Sequence, residues 1–216
     1  MRLAIIFMLL FSFIVACAPI NDTVIFNNQW EEEKAIETKS TGTKLSFQGQ
    51  LMIDDFNIKN KNNLKGDVNP WDFKPEDDSQ ICRIRYNRQN KMGNKGFAIQ
   101  IDYDVDSPNQ AFNGFYSDLR GIDASGYNKV IFYVKGNKDK GFTSVFKVEL
   151  KNNSGQTGYA YVRGVSDQWQ KIVIALDDFK GLSDLSSMKE FTVVFVDSEV
   201  TEKVGTLYME NLYFSK

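Results

Sequence analysis

The chain has 216 residues, a formal net charge of −2 and no histidine. The charge argues against nucleic acid, which calls for a clustered basic surface. The missing histidine excludes a Ser-His-Asp triad, a Cys-His dyad and histidine-ligated zinc. Seventeen Phe fit a hydrophobic core, but nine Tyr and three Trp need another reason wherever they fall on solvent-facing strand positions.

In chain order, the first element is an N-terminal apolar run. Arg2 gives it a positive start, and Leu3 to Val15 is interrupted only by Ser12. The run is too short to span a bilayer as a permanent helix. It reads as a secretory signal over residues 1–16. Ile14-Val15-Ala16-Cys17 resembles the lipobox of bacterial lipoproteins. That resemblance implies lipidation of Cys17 and a membrane anchor of acyl chains in the cell envelope. With Ala18 after the cysteine, it implies the outer membrane where there are two membranes. An ordinary secretory signal or an N-terminal anchor helix is the other reading of these residues. With Cys17 acylated, Cys82 has no disulfide partner, and among Ile81 and Ile84 it reads as a small buried hydrophobe.

Residues 17–47 are polar and mixed, from Asn21-Asp22 through Glu31-Glu32-Glu33 to Thr41-Gly42, and read as a tether. Residues 48–216 read as one domain. Strands are predicted at 48–56, 79–86, 96–103, 129–135, 145–151, 157–163, 168–176, 190–197 and 205–214, with a helical turn near 182–188. Turn formers such as Asn60-Lys61-Asn62-Asn63 and Asn152-Asn153-Ser154-Gly155 separate them. Many short strands without βαβ alternation predict an all-β antiparallel sandwich or jelly roll.

Side chains alternate along a strand, so parity separates core from surface. Val130, Phe132 and Val134 share one face; Phe146, Val148 and Leu150 point inward, leaving Lys147, Glu149 and Lys151 outside. With Gly158, Ala160 and Val162 inward, Tyr159, Tyr161 and Arg163 fall on one outer face. Aromatic faces pack on the C–H faces of sugar rings, and a planar arginine holds hydroxyls in paired hydrogen bonds. The other reading of the tyrosines is cross-strand packing on a half-buried pleated surface.

Four blocks carry a family resemblance. They are Met52-Ile53-Asp54-Asp55-Phe56, the run from Ile122 to Gly136, Trp169 to Ile174 with Asp177-Asp178-Phe179, and Glu210-Asn211-Leu212-Tyr213-Phe214. In this order they resemble family 11 carbohydrate-binding modules and, equally, the domain of complex I intermediate-associated protein 30. Both are galactose-binding-like jelly rolls. The carbohydrate-binding resemblance implies a ligand across a concave sheet face, with Tyr159, Tyr161 and Arg163 as contacts. It implies Tyr116 as a further contact, in a glycine-aromatic loop at Asn113-Gly114-Phe115-Tyr116. The other reading of Tyr116 is a loop aromatic capping the core. Asp197 reads as a rim hydrogen-bonding group or as half of an Asp-Ser turn. Trp71, placed in a long loop, reads as a stacking indole or a hydrophobic plug. Trp169 reads as structural. The resemblance also implies a structural calcium with Asp54, Asp55 and Glu210 as its acidic ligands; edge carboxylates facing solvent are the alternative.

The expected function is non-catalytic binding of an oligo- or polysaccharide, of the β-glucan type, by a membrane-anchored lipoprotein in the cell envelope. The alternative is a structural or protein-docking module with an envelope protein partner. A glycoside hydrolase needs two carboxylates opposed across a groove, and the sequence nominates no such pair.

Overall fold

The structure is a computed structural model that describes residues 49–216. The expected signal peptide, the lipidated Cys17 and the tether lie outside the described residues. The strands are β1 (Gln50–Asp54), β2 (Val68–Asp72), β3 (Ile81–Asn87), β4 (Ala98–Asp104), β5 (Phe112–Ile122) and β6 (Lys129–Gly136). They continue with β7 (Val145–Asn152), β8 (Thr157–Arg163), β9 (Gln170–Ala175), β10 (Met188–Val196) and β11 (Val204–Ser215).

These strands form two antiparallel sheets. One has five strands in the order β2-β5-β10-β7-β8. The other has six, in the order β3-β4-β11-β6-β9, with β1 added on β11. One edge of β11 pairs with β6, while the other is divided between β4 along Val204–Met209 and β1 along Leu212–Ser215. The fold is an antiparallel β-sandwich of the jelly-roll type.

The core lies between the sheets and follows the alternation read from the sequence. Val130, Phe132 and Val134 on β6 face Phe146, Val148 and Leu150 on β7, all buried. Phe132 makes an edge contact with Phe191 at 5.8 Å and a tilted one with Phe146 at 6.5 Å. Tyr103 stacks on Phe195 at 4.0 Å, and its hydroxyl accepts a hydrogen bond from the Thr143 N–H at 2.6 Å. Each buried aromatic contributes roughly 2–3 kcal/mol of transfer free energy. Cys82 is a free, buried thiol whose pKa burial pushes up, as a small hydrophobe requires.

The structure departs from the expected elements in four places. β2 carries Pro70, which an edge strand tolerates because its missing N–H faces away from the ladder. β5 contains Asn113, Gly114, Ser117, Asp118 and Gly121, poor strand formers that tertiary pairing on both sides overrides. Residues 182–187 form no helical turn; a 3₁₀ turn occurs earlier, at Leu176–Asp178. Ile131, which the inward Val130, Phe132 and Val134 leave on the outer face by alternation, is buried there.

Candidate functional site

The register of the five-stranded sheet decides what its outer face carries. One row across it reads Asn69, Tyr116, Thr192, Glu149, Tyr159 from β2 to β8. The next reads Trp71, Gly114, Val194, Lys147, Tyr161. Small and medium side chains on β10 (Thr192, Val194, Val196) lie between bulky ones on either side. The result is a trough along β10 with a volume of about 590 Å³.

Trp71, Phe112 and Tyr116 wall one side of this trough; Lys147, Glu149 and Lys151 wall the other. Gly114, between Trp71 and Val194 in the second row, leaves no room for a side chain. A Cβ there would lie 1.8 Å from the Val193 carbonyl oxygen, so β5 and β10 approach closely only with glycine.

The aromatic wall is continuous. Trp71 meets Phe112 edge-on at 6.0 Å, and Phe112 stacks at 3.9 Å on Phe73, which is 42% exposed. Apolar ring surface thus runs out of the trough at this end.

The opposite wall is charged but internally neutralised. Lys147 pairs with Glu149 at 3.2 Å, Lys151 with Glu190 at 3.1 Å, and Lys151 also approaches Glu149 at 3.8 Å. Partly exposed pairs like these add little stability. Their effect is to leave the wall rich in hydrogen-bonding groups while presenting little net field.

Three polar atoms of the groove residues are buried and unpartnered: Trp71 Nε1, Thr192 Oγ1 and Glu199 Oε2. Thr192 is only 1% exposed. Leaving a buried donor or acceptor unmade costs roughly 1–3 kcal/mol each. All three belong to residues that line the trough, two of them opposite or beside the aromatic wall.

The residues expected at the site are only partly brought together. Tyr116 is on strand β5 and not in a loop, and Trp71 is on strand β2 and not in a long loop; both line the trough. Asn69 donates to the Tyr116 hydroxyl at 3.2 Å. Tyr159, Tyr161 and Arg163 rise from the same face but from β8, one strand beyond the wall formed by β7. Tyr159 is 41% exposed and meets Tyr161 edge-on at 6.0 Å, with the Arg163 guanidinium 5.0 Å from the Tyr161 ring centre. Tyr161 reaches the trough through its hydroxyl, which donates to Glu199 Oε1 at 2.9 Å. Burial and the neighbouring Glu199 push its pKa up to about 12, so it remains a donor. Asp197 lies in the turn after β10 and does not line the trough; its N–H donates to the Ala111 carbonyl at 3.0 Å.

The expected calcium ligands do not form a set. Among the described residues, no three His, Cys, Asp or Glu side chains gather in metal-ligand geometry. Asp55 Oδ1 accepts from the Asn57 N–H at 3.0 Å in a local turn. Glu210 accepts from the Met92 N–H, and Asp54 Oδ1 from the Phe56 N–H at 2.7 Å. Asp54 and Glu210 are buried and do not face solvent, which corrects the edge-carboxylate reading for these two. Burial pushes Asp54 up to about 8 and Glu210 up to about 7.

Sequence reasoning missed Phe112, Thr192, Glu190 and Glu199 as groove residues. The outward parity of Lys147, Glu149 and Lys151 was legible, but not that these residues wall a trough centred on β10.

No protein-family model and no curated protein matches the chain. Solved structures do. The chain is similar to the family 11 carbohydrate-binding module of a cellulosomal cellulase of Clostridium thermocellum. The TM-score is 0.58 at 15% identity, over 79% of this chain and 96% of the module. It is similar to a family 11 module of the same organism in complex with a β-1,3-1,4-mixed-linked tetrasaccharide. There the TM-score is 0.58 at 16% identity, over 79% of this chain and 97% of that one. An exo-β-agarase matches at a TM-score of 0.53 and 12% identity, over 76% of this chain but only 25% of the enzyme. The chain shares the β-sandwich fold of these family 11 modules.

Proposed function

We propose that this chain is a non-catalytic carbohydrate-binding protein that takes a neutral glycan of the β-glucan type into the trough along β10. The observation that carries the reading is the pairing of an aromatic wall with three buried, unpartnered polar atoms in one groove. Sugars present both matching features: C–H faces for Trp71, Phe112 and Tyr116, and hydroxyls for Thr192 and Glu199. Ion-paired lysines and glutamates favour a neutral ligand over a polyanion. The family 11 module whose structure holds a mixed-linked tetrasaccharide supports the β-glucan class. Glu149 and Glu190 are held by lysines and Glu199 by Tyr161, an arrangement suited to hydrogen bonding rather than acid–base cleavage. With a lipid on Cys17, the module would hold glycan at the cell envelope.

Titration calorimetry with β-1,3-1,4-mixed-linked tetrasaccharide tests this. Wild-type chain should bind, and Trp71→Ala/Tyr116→Ala should weaken binding by on the order of a hundredfold. Tyr159→Ala/Tyr161→Ala should weaken it by about threefold to tenfold, through the loosened Glu199. A folded chain that binds neither this tetrasaccharide nor cello-oligosaccharides would end the β-glucan reading in favour of protein docking.

A further inference from the structure

The trough does not stop at Glu190. A second cavity of about 450 Å³ begins there, sharing Tyr116 and Glu190 with the first and continuing past Asp118, Arg120, Asn153 and Lys189. Its shape comes from an irregularity in the sheet. Glu190 pairs with Asp118 and Met188 with Ile122, so Lys189 alone faces Leu119, Arg120 and Gly121. Arg120 and Gly121 are both left-handed, at φ +58° and +70°.

Two successive left-handed residues within a strand are costly, most of all at an arginine. Asp118 holds this conformation: its Oδ1 accepts from the Arg120 N–H at 2.8 Å, and its Oδ2 lies 3.6 Å from the guanidinium. Bulges of this kind re-aim side chains at the ends of sheets. Here the re-aimed groups are a largely exposed guanidinium and the Lys189 ammonium, at the mouth of a cavity continuous with the groove.

We infer that the bulge at Arg120–Gly121 builds an extension subsite, where Arg120, Lys189 and Asn153 hydrogen-bond the hydroxyls of a glycan chain continuing along β10. The inference rests on the carbohydrate reading and adds the chain's direction and length. Val196 and Lys189 are seven residues apart on β10, roughly 23 Å at 3.3 Å per residue. The groove is therefore two-ended. Stacking dominates at Trp71 and Phe112, and hydrogen bonding dominates at Arg120 and Lys189. Both cations have carboxylate neighbours, Asp118 and Glu190 at 3.6 and 3.7 Å, so the subsite suits a neutral polyol and not a polyanion.

The test is a ladder of mixed-linkage β-glucan oligosaccharides, from tri- to heptasaccharide, titrated into wild-type chain and into Arg120→Gly/Lys189→Ala. Glycine accepts the left-handed conformation without strain, so this variant removes the guanidinium while keeping the bulge. A thermal melt confirms its fold. For wild type, affinity should rise about tenfold from tri- to hexasaccharide, and in the double variant that gain should shrink to about twofold. Equal affinity for short and long chains in the wild type, or an undiminished gain in the folded variant, overturns the extension subsite and leaves the carbohydrate reading standing. Failure of wild type to bind any member of the ladder overturns both.

Discussion

The outer faces of the two sheets differ in what they do with their polar groups. On the six-stranded sheet most of them close on themselves, Asp54 Oδ2 on β1 being the buried exception. Asp102 accepts from Arg85 at 2.6 Å, from Thr206 Oγ1 at 2.6 Å and from Gln100 Nε2 at 2.9 Å, while Asn87 donates to Gln100 Oε1 at 2.8 Å. Asn137 and Asn90 both donate to the Tyr208 hydroxyl. Burial pushes the Asp102 pKa up, but these hydrogen bonds and the charges of Arg85 and Lys140 outweigh it and hold the carboxyl below its usual range. On the five-stranded sheet, Trp71, Thr192 and Glu199 keep polar atoms buried and unpartnered. A face that satisfies its own hydrogen bonds serves stability. One that leaves them open is arranged for something absent from the chain.

The largest expected effect separates these roles. Asp102→Ala strands the donors of Arg85, Thr206 and Gln100, and should lower stability by about 2–3 kcal/mol in urea unfolding. Tetrasaccharide affinity should change by less than about twofold, since nothing on that face reaches the groove. A comparable loss of binding in a folded Asp102→Ala chain would break the division.

The second effect is a pH dependence on the closed face. Glu210, 6% exposed, is pushed up to about 7 by burial, only partly offset by the Met92 N–H. Its proton is therefore held more tightly in the folded chain than in the unfolded one. The Glu210 contribution should be full below pH 4.5, fall as pH rises toward 7, and level off above, by on the order of 2 kcal/mol. Asp54, up to about 8, extends the slope in the same direction. Glu210→Gln should make the slope between pH 4.5 and 7 shallower in melts taken across the range, leaving the part due to Asp54; an unchanged slope would place the titration elsewhere.

The smallest effect is the most diagnostic for the groove. Thr192→Val removes a hydroxyl that has no partner. Stability should stay level or rise by up to about 1 kcal/mol, while glycan affinity falls about fivefold. A Thr192→Val chain that is less stable and binds equally well would mean that the hydroxyl serves the fold.

The fold was legible where alternation was clean. Residues 157–163 and 145–151 were bounded to within one residue and faced correctly because inward Ala160, Val162, Phe146 and Val148 alternate with polar neighbours. β2 and β5 were not legible. Pro70, Gly114 and Gly121 argue locally against a strand, and only pairing with neighbours makes them one. Those same two strands carry Trp71 and Tyr116, so the residues were visible as candidates while their setting, read as loops, was not.

By itself, the sequence determined the class of fold, the absence of histidine chemistry, and the outward tyrosines and Lys-Glu-Lys row, because these depend on composition and on a period of two. Tertiary structure alone decided that the trough runs along β10, that Tyr159 and Tyr161 stand beside it, and that Asp54, Asp55 and Glu210 do not gather. Those outcomes depend on strand order and on the bulge opposite Lys189, and register between strands distant in sequence leaves no local pattern to read.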